Sequence, residues 1–210
     1  YIPGASYKCY LYDNRDRLVF SQDAEMRVRG EWNFFKYDIY DRPIIEGINK
    51  ASEETLRTVL SQQTIYGENR GGSLHGYTNL TSPFVTTSQC LNIMYYDDYN
   101  WPGQSDVAYS EDDLLSNSIT DNVINLSTGT KTRVLGGEGE QWLLEAVYYD
   151  KEYRVIQNVR QLYTDNTLST PPSVETEFTK PVPVVYDKYI RQSYVTMDLL
   201  SNIDMPDCIN

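Results

Sequence analysis

A short polar motif that recurs along the chain is the feature that most constrains its fold. The motif reads Tyr-Asp-x-x-x-Arg and occurs four times in the 210 residues. The residue counts of the chain would produce far less than one copy by chance, so the motif marks an internal repeat. Its defining residues are Tyr12, Asp13 and Arg17, Tyr37, Asp38 and Arg42, Tyr149, Asp150 and Arg154, and Tyr186, Asp187 and Arg191.

Apolar residues flank the motif and predict a strand on each side of it. Trp32 and Phe34 alternate ahead of the second copy, and residues 18–20 form an apolar run after the first. Strand, short polar turn and strand make a β-hairpin. The aspartate can accept a hydrogen bond from the backbone two residues on. We expect each arginine to pair with this aspartate and to cover the tyrosine ring of its own hairpin, in preference to binding an anion.

This arrangement resembles the YD-repeat family of the RHS type, whose unit is a strand, Tyr-Asp-x-x-Gly-Arg and a second strand. The resemblance implies a segment of a large secreted or cell-surface bacterial protein. It also implies that such arrays can wind into shells around a C-terminal cargo. Tyrosine and isoleucine adopt a positive φ less readily than aspartate, so the last two turns are expected to differ in geometry. The residues in place of the family glycine are Asp16, Asp41, Tyr153 and Ile190.

The middle of the chain departs from the hairpin pattern. Ser52 can cap a helix, and Leu56 and Leu60 lie on one helical face, which predicts one α-helix at about residues 52–65. A Gly- and Asn-rich loop that contains His75 is expected after it. Residues 99–129 are mostly polar and predict a long loop excursion.

A three-strand meander is expected next, with turns at residues 136–139 and 150–153. Residues 164–183 read as linker-like, except that residues 174–178 alternate like an edge strand. The predicted fold is mainly β: a curved antiparallel sheet of YD-type hairpins with one helix and a long polar loop region. We expect residues 1–210 to form one such domain. Because the chain starts with tyrosine, we also expect it to be a fragment of a larger protein.

Composition excludes several kinds of partner. The formal net charge of -12 repels phosphate backbones, so no nucleic-acid partner is expected. No apolar run approaches the length of a membrane span, so this segment is not expected to insert into a membrane. Cys9, Cys90 and Cys208 are far apart and His75 is the only histidine. That spacing argues against a disulfide framework and a zinc site, and no metal or cofactor is predicted.

No nucleophile motif occurs in the chain, and we do not expect an enzyme. The preferred function is a structural or interaction segment whose partners are neighbouring repeats of the parent chain or another protein. The alternative is a carbohydrate-binding or carbohydrate-active module that uses the aromatic and acidic cluster at residues 95–113. Calcium binding by the acidic residues 97–113 also stays open. The candidate ligand patch is a degenerate fifth copy of the motif, with tryptophan in the arginine's place: Tyr96, Asp97, Asp98, Tyr99 and Trp101.

Overall fold

The computed structural model describes residues 7–110, 119–135 and 140–162, and the backbone of residues 173–178. Nine strands form one open sheet in which every neighbouring pair is antiparallel. The predicted mainly β class is confirmed. The strands of this sheet are β1 (Cys9–Tyr12), β2 (Leu18–Gln22), β3 (Glu31–Tyr37), β4 (Pro43–Lys50), β7 (Cys90–Asp97), β8 (Val123–Arg133), β9 (Trp142–Tyr149), β10 (Val155–Leu162) and β11 (Ser173–Phe178).

The strands follow one another in the sheet in chain order, from β1 to β11. Four hairpins therefore stand side by side: β1–β2, β3–β4, β7–β8 and β9–β10. Because every second connection of such a meander lies at the same end, the Tyr-Asp turns meet at one end of the sheet. Between β4 and β7 the chain leaves the sheet to form α2 (Glu53–Ser61) and a small two-stranded sheet of β5 (Arg70–Gly72) and β6 (Gly76–Tyr77).

The core lies on one face of the sheet, beneath these excursions. One row of cross-strand neighbours runs from Leu11 through Phe20, Phe34 and Gly47 to Cys90, and all five residues are buried. Gly47 has no space for a side chain, because a Cβ atom there would overlap the Gln89 carbonyl oxygen and the Phe34 ring. The glycine therefore lets the segment that follows the small sheet pack directly on β4.

The predicted helix is present but shorter than expected. It begins after Ser52, whose hydroxyl accepts a hydrogen bond from the Thr55 N–H, and it buries Leu56 and Leu60. A second helix, α1 (Ala24–Arg29), was not predicted. It is too short to show a periodic apolar face. The signals for it were an N-cap, Asp23, and a left-handed C-cap, Gly30.

The predicted polar excursion at residues 99–129 ends earlier than expected, since Val123–Arg133 is strand β8. The predicted meander already contained the end of this strand, residues 130–133. The preceding part was missed because it carries Asn125, Ser127, Thr128 and Gly129. Trp101 occupies the space where a Gly129 side chain would lie. The strand therefore needs a glycine at the point where the indole packs on it. Ser173–Phe178 forms the predicted edge strand. The turn at residues 136–139 and the rest of 164–183 lie outside the described residues.

The third Tyr-Asp turn has the same geometry as the first two, which corrects the sequence-based expectation. Asp16, Asp41 and Tyr153 have φ values of 58°, 63° and 61°. The network of the turn imposes this left-handed conformation even on a tyrosine, whose ring is half exposed and whose hydroxyl accepts from Asn122 Nδ2 at 3.0 Å. Ile190 lies outside the described residues.

Replacing Tyr153 with glycine is expected to stabilise the protein by about 1 kcal/mol, because glycine adopts a positive φ without the steric cost that tyrosine carries. Urea unfolding measures the change. Tyr153→Ala is the matched control, since alanine removes the ring but keeps the conformational cost. A gain of equal size in both variants would contradict the explanation.

Candidate functional site

Each described Tyr-Asp turn contains the same set of hydrogen bonds, centred on its motif aspartate. In the first turn, Asp13 Oδ1 accepts from the backbone N–H groups of Arg15 at 2.9 Å and Arg17 at 3.1 Å. Asp13 Oδ2 accepts from Arg17 Nε at 2.9 Å. Asp38 and Asp150 make the same three bonds to residues two and four positions later. The fourth copy, Tyr186, Asp187 and Arg191, lies outside the described residues.

Burial and hydrogen bonding act in opposite directions on these aspartates. Burial would raise the pKa of Asp13, but hydrogen bonds from Arg17 and Arg15 hold that pKa below its ordinary value. The pKa of Asp150 is also lowered, because hydrogen bonds from Arg154 and the Glu152 N–H outweigh the effect of burial. Both carboxylates are therefore ionised in the folded chain at neutral pH, and the bonds they accept from arginine are charge-assisted.

Acid is expected to destabilise the protein through these turns. The pKa of Asp13 and of Asp150 is lower in the folded chain than the value near 4 of an unfolded chain, so acid protonates the unfolded state first. The stabilisation is present above about pH 5 and is lost as the pH falls below 4. Urea midpoints between pH 3 and pH 7 measure the loss. Asp13→Asn should be less stable at pH 7 and should show a shallower decline, and a decline equal to that of the parent chain would contradict this assignment.

Arg17 also connects its own turn to the next hairpin. Its Nη1 lies 2.6 Å from Asp41 Oδ1, and its guanidinium carbon lies 4.6 Å from the centre of the Tyr37 ring. The expectation that this arginine covers the tyrosine of its own hairpin is therefore wrong. Arg17 directly precedes β2, the return strand of its hairpin. The other neighbour of β2 in the sheet is β3, which belongs to the following hairpin and ends in Tyr37.

Arg42 makes a similar connection at the next junction, to a carboxylate at a different position of the following copy. Its two terminal nitrogens bind both carboxylate oxygens of Asp97, and its guanidinium carbon lies 4.4 Å from the centre of the Tyr96 ring. The hydrogen bonds from Arg42 lower the pKa of Asp97. The degenerate fifth copy has thus kept the tyrosine that lies beside the preceding arginine, whereas the carboxylate that binds this arginine is Asp97, which has the place of Asp38 and not of Asp41.

The tyrosine hydroxyls form a second regular link between hairpins. Each hydroxyl donates to a backbone carbonyl in the return strand of the preceding hairpin. The residue that carries this carbonyl is the cross-strand partner of the motif tyrosine in the preceding hairpin. The motif tyrosine therefore joins one hairpin to the next. The three links are Tyr37 to Leu18 at 2.7 Å, Tyr96 to Pro43 at 3.1 Å and Tyr149 to Ser127 at 2.8 Å.

The other residues of the candidate ligand patch make different contacts. Asp98 Oδ1 accepts from Arg70 Nη2 at 3.0 Å, and the Tyr99 hydroxyl accepts from the Tyr149 N–H at 3.2 Å. The Tyr99 ring packs on Tyr148, with ring centres 5.0 Å apart. The Tyr99 contacts hold the connection between β7 and β8 against β9, and the Asp98 contact holds it against β5.

Trp101, which stands in the arginine's place, is a core residue with 4% of its surface exposed. Its ring stacks on Tyr95, with centres 4.9 Å apart and planes inclined by 7°. Its other neighbour is Gly129, where an added Cβ atom would overlap the indole. A ligand therefore cannot stack on Trp101. Between β7 and β8 a longer connection takes the place of the tight turn. The Trp101 indole fills the core beneath this connection.

A polar cleft of about 310 Å³ lies beside the second turn. Of the predicted patch, only Asp97 lines this cleft. Tyr40 and Ile39 stand exposed at the cleft, while the Arg42 guanidinium already binds Asp38 and Asp97. The full lining is Asp38, Ile39, Tyr40, Arg42, Glu68, Asn69, Arg70, Tyr77 and Asp97.

Sequence reasoning missed a buried ion pair between Lys36 and Glu68. Lys36 Nζ lies 2.8 Å from Glu68 Oε1, and both side chains have 0% exposure. The signal was present in β3, where Lys36 takes an inward position in the alternation that includes Trp32 and Phe34. Its partner could not be inferred, because Glu68 lies in the excursion between β4 and β7.

Other candidates from the sequence are structural in the described residues. His75 packs edge-on against Trp142, with ring centres 4.6 Å apart, and burial lowers its pKa. Cys9 and Cys90 are unpaired thiols. Within residues 7–110, 119–135 and 140–162, no group of three or more His, Cys, Asp or Glu side chains is placed to hold a metal ion. The described helices include none long and apolar enough to cross a membrane.

Comparison with family models, with curated proteins and with solved structures found no match to this chain.

Proposed function

We propose that this chain is a non-enzymatic structural or interaction segment of a larger secreted or cell-surface protein of the YD-repeat type. The observation that carries the proposal is the tyrosine link, which recurs three times in the same register. A link that repeats between successive units gives each hairpin the same position relative to the last. The chain is thus suited to build an array and to present it to neighbouring repeats or another protein.

The arginine links support the same role. Arg17 and Arg42 each bind an aspartate of their own turn and a carboxylate of the next hairpin. These contacts lie at the end of the sheet where the Tyr-Asp turns meet, and Arg15 adds a further ion pair to Asp41 there. Their charges are neutralised by specific partners, so they stabilise the array and leave little capacity for an external anion.

Removing the hydroxyl from Tyr37, Tyr96 or Tyr149 is expected to cost about 0.5–1.5 kcal/mol each, because a carbonyl between two hairpins loses its donor. The variants are Tyr37→Phe, Tyr96→Phe and Tyr149→Phe, measured by urea unfolding. Tyr12→Phe is the matched control, since the Tyr12 hydroxyl has no hydrogen-bond partner among the described residues. Equal effects in all four variants would remove the observation on which the proposal rests.

Protease treatment of intact cells that produce the full protein tests the location. Peptides from residues 7–110 should be released and identified by mass spectrometry before any cytoplasmic marker protein is cut. Release only after lysis would contradict a secreted or surface location.

The cleft beside the second turn favours a second candidate function, binding of a neutral saccharide. The exposed Asn69 amide can donate to and accept from hydroxyl groups, the partly exposed Asp97 carboxylate can accept from them, and the exposed Tyr40 ring offers a face for stacking. The volume of about 310 Å³ suits one or two sugar rings. This candidate moves the carbohydrate site from Trp101 to Tyr40 and keeps only Asp97 of the original patch.

A glycan array probed with the parent chain tests this second function. Binding should be lost in Tyr40→Ala and kept in Phe84→Ala, which removes another exposed aromatic ring outside the cleft. Both variants should retain the unfolding temperature of the parent. Absence of glycan binding by the parent chain, or equal binding by both variants, would exclude the cleft as a saccharide site.

A further inference from the structure

We propose that the outer edge of β1 is a docking site for the return strand of another Tyr-Asp hairpin, supplied by a preceding part of the same polypeptide. The inference rests on the proposed function and names its partner. Chain order and sheet order agree throughout the described sheet. The position beside β1 therefore belongs, by the same order, to a hairpin that precedes β1 in the chain.

Among the motif tyrosines that the structure describes, Tyr12 is the one whose hydroxyl makes no link to another described residue. Its equivalents Tyr37, Tyr96 and Tyr149 are half-buried and donate to a preceding return strand. Tyr12 is 55% exposed, and β1 has β2 as its only partner strand among the described residues. A return strand placed beside β1 would bring a carbonyl to the Tyr12 hydroxyl in the register that the other links share.

Asp16 is a second position that no described residue fills, and it is independent of the first. It has the same place in its turn as Asp41, and Asp41 receives Arg17 of the preceding hairpin. Asp16 is exposed and has no side-chain hydrogen bond or ion pair among the described residues. The arginine of a preceding hairpin would reach this carboxylate as Arg17 reaches Asp41, and it would lie over the Tyr12 ring as Arg17 lies over Tyr37.

The composition of β1 also suits pairing. Soluble proteins usually protect an exposed edge strand with charges or proline. Residues 9–12 read Cys-Tyr-Leu-Tyr and carry neither. Tyr10 and Tyr12 are both about half exposed, which leaves aromatic surface for a neighbouring strand to cover.

A tandem duplication tests the docking site. A second copy of residues 7–30 is inserted directly ahead of Ser6, so that Tyr12 follows the inserted Gly30 at the same distance as Tyr37 follows the native one. The β1 amides should then exchange with deuterium at least about 10-fold more slowly than in the parent chain. Tyr12→Phe, neutral in the parent, should lower the urea midpoint of the extended chain. The same insertion with Val19→Pro in the inserted copy is the control and should not protect β1.

Unchanged exchange of the β1 amides, or a neutral Tyr12→Phe in the extended chain, would overturn the inference. If the phenylalanine variants of the three inner tyrosines still lose stability, the array proposal survives and the docking site alone is wrong. Sedimentation velocity adds a further outcome. If the parent chain self-associates through β1 and the insertion prevents this, the occupant is a second copy of the chain and the assignment to a preceding segment is overturned.

Discussion

Replacing Lys36 with methionine is expected to lower the free energy of unfolding by about 3–5 kcal/mol, because it leaves the Glu68 carboxylate buried without its counter-charge. Both side chains have 0% exposure. Glu68 also accepts from the backbone N–H groups of Leu80 and Thr81, at 2.8 Å and 2.9 Å. Lys36 Nζ donates to the Thr81 carbonyl at 2.7 Å. This network attaches the excursion between β4 and β7 to the sheet, so its loss should release that excursion.

A double-mutant cycle separates the ion pair from its surroundings. Lys36→Met and Glu68→Gln each remove one charge, and the double variant removes both. The double variant should lose less than the sum of the two single losses, since no uncompensated charge remains buried. Lys50→Met is the control, because Lys50 also ends in an ion pair but its side chain is 71% exposed. Urea unfolding with a single loss below about 1 kcal/mol would show that water reaches the pair.

Replacing Trp101 with alanine is expected to cost about 3–5 kcal/mol, the usual range for emptying a buried aromatic site. The indole fills the space between Tyr95 and the glycine backbone of β8, so its removal leaves a cavity that neither neighbour can close. Chemical unfolding should show the loss directly. Phe84→Ala, at a position that is 70% exposed, should stay within about 0.5 kcal/mol of the parent.

Gly129→Ala tests the same contact from the other side. An alanine Cβ atom would overlap the Trp101 indole, so this variant should lose about 1–3 kcal/mol through overpacking. Combining it with Trp101→Ala should recover part of that loss, because the methyl group then enters the space left by the indole. Strictly additive losses would contradict direct contact between the two residues. The result also bears on carbohydrate binding, because a Trp101 variant that loses glycan binding must first be shown to be folded.

The hairpin unit could be predicted from sequence because its interactions are local. Asp13, Arg15 and Arg17 lie within five residues, and the chain closes the turn with its own backbone and one side chain. Side-chain alternation then fixes which residues of each strand face the core. The helix after Ser52 was predictable for the same reason, since its cap and its apolar face are contiguous in the chain.

The contacts between hairpins could not be predicted from one sequence. Arg17 was expected to cover the ring of its own tyrosine and covers Tyr37, because the order of strands decides which ring lies beside the arginine. Trp101 was a candidate ligand residue under the carbohydrate alternative and is buried, because Tyr95 of β7 and Gly129 of β8 cover it. Sequence spacing carries no signal for such pairs.

The sequence by itself determined the repeating unit, the antiparallel hairpins and the mainly β class, since each follows from interactions among residues a few positions apart. Only the tertiary structure decided that Tyr-Asp-x-x-x-Arg is a connector as well as a turn, with its hydroxyl directed to the hairpin before it and its guanidinium to the hairpin after it. It also decided that Lys36 pairs with Glu68. The physical reason is that these partners lie 19 or more residues apart, and strand order and burial alone bring them together.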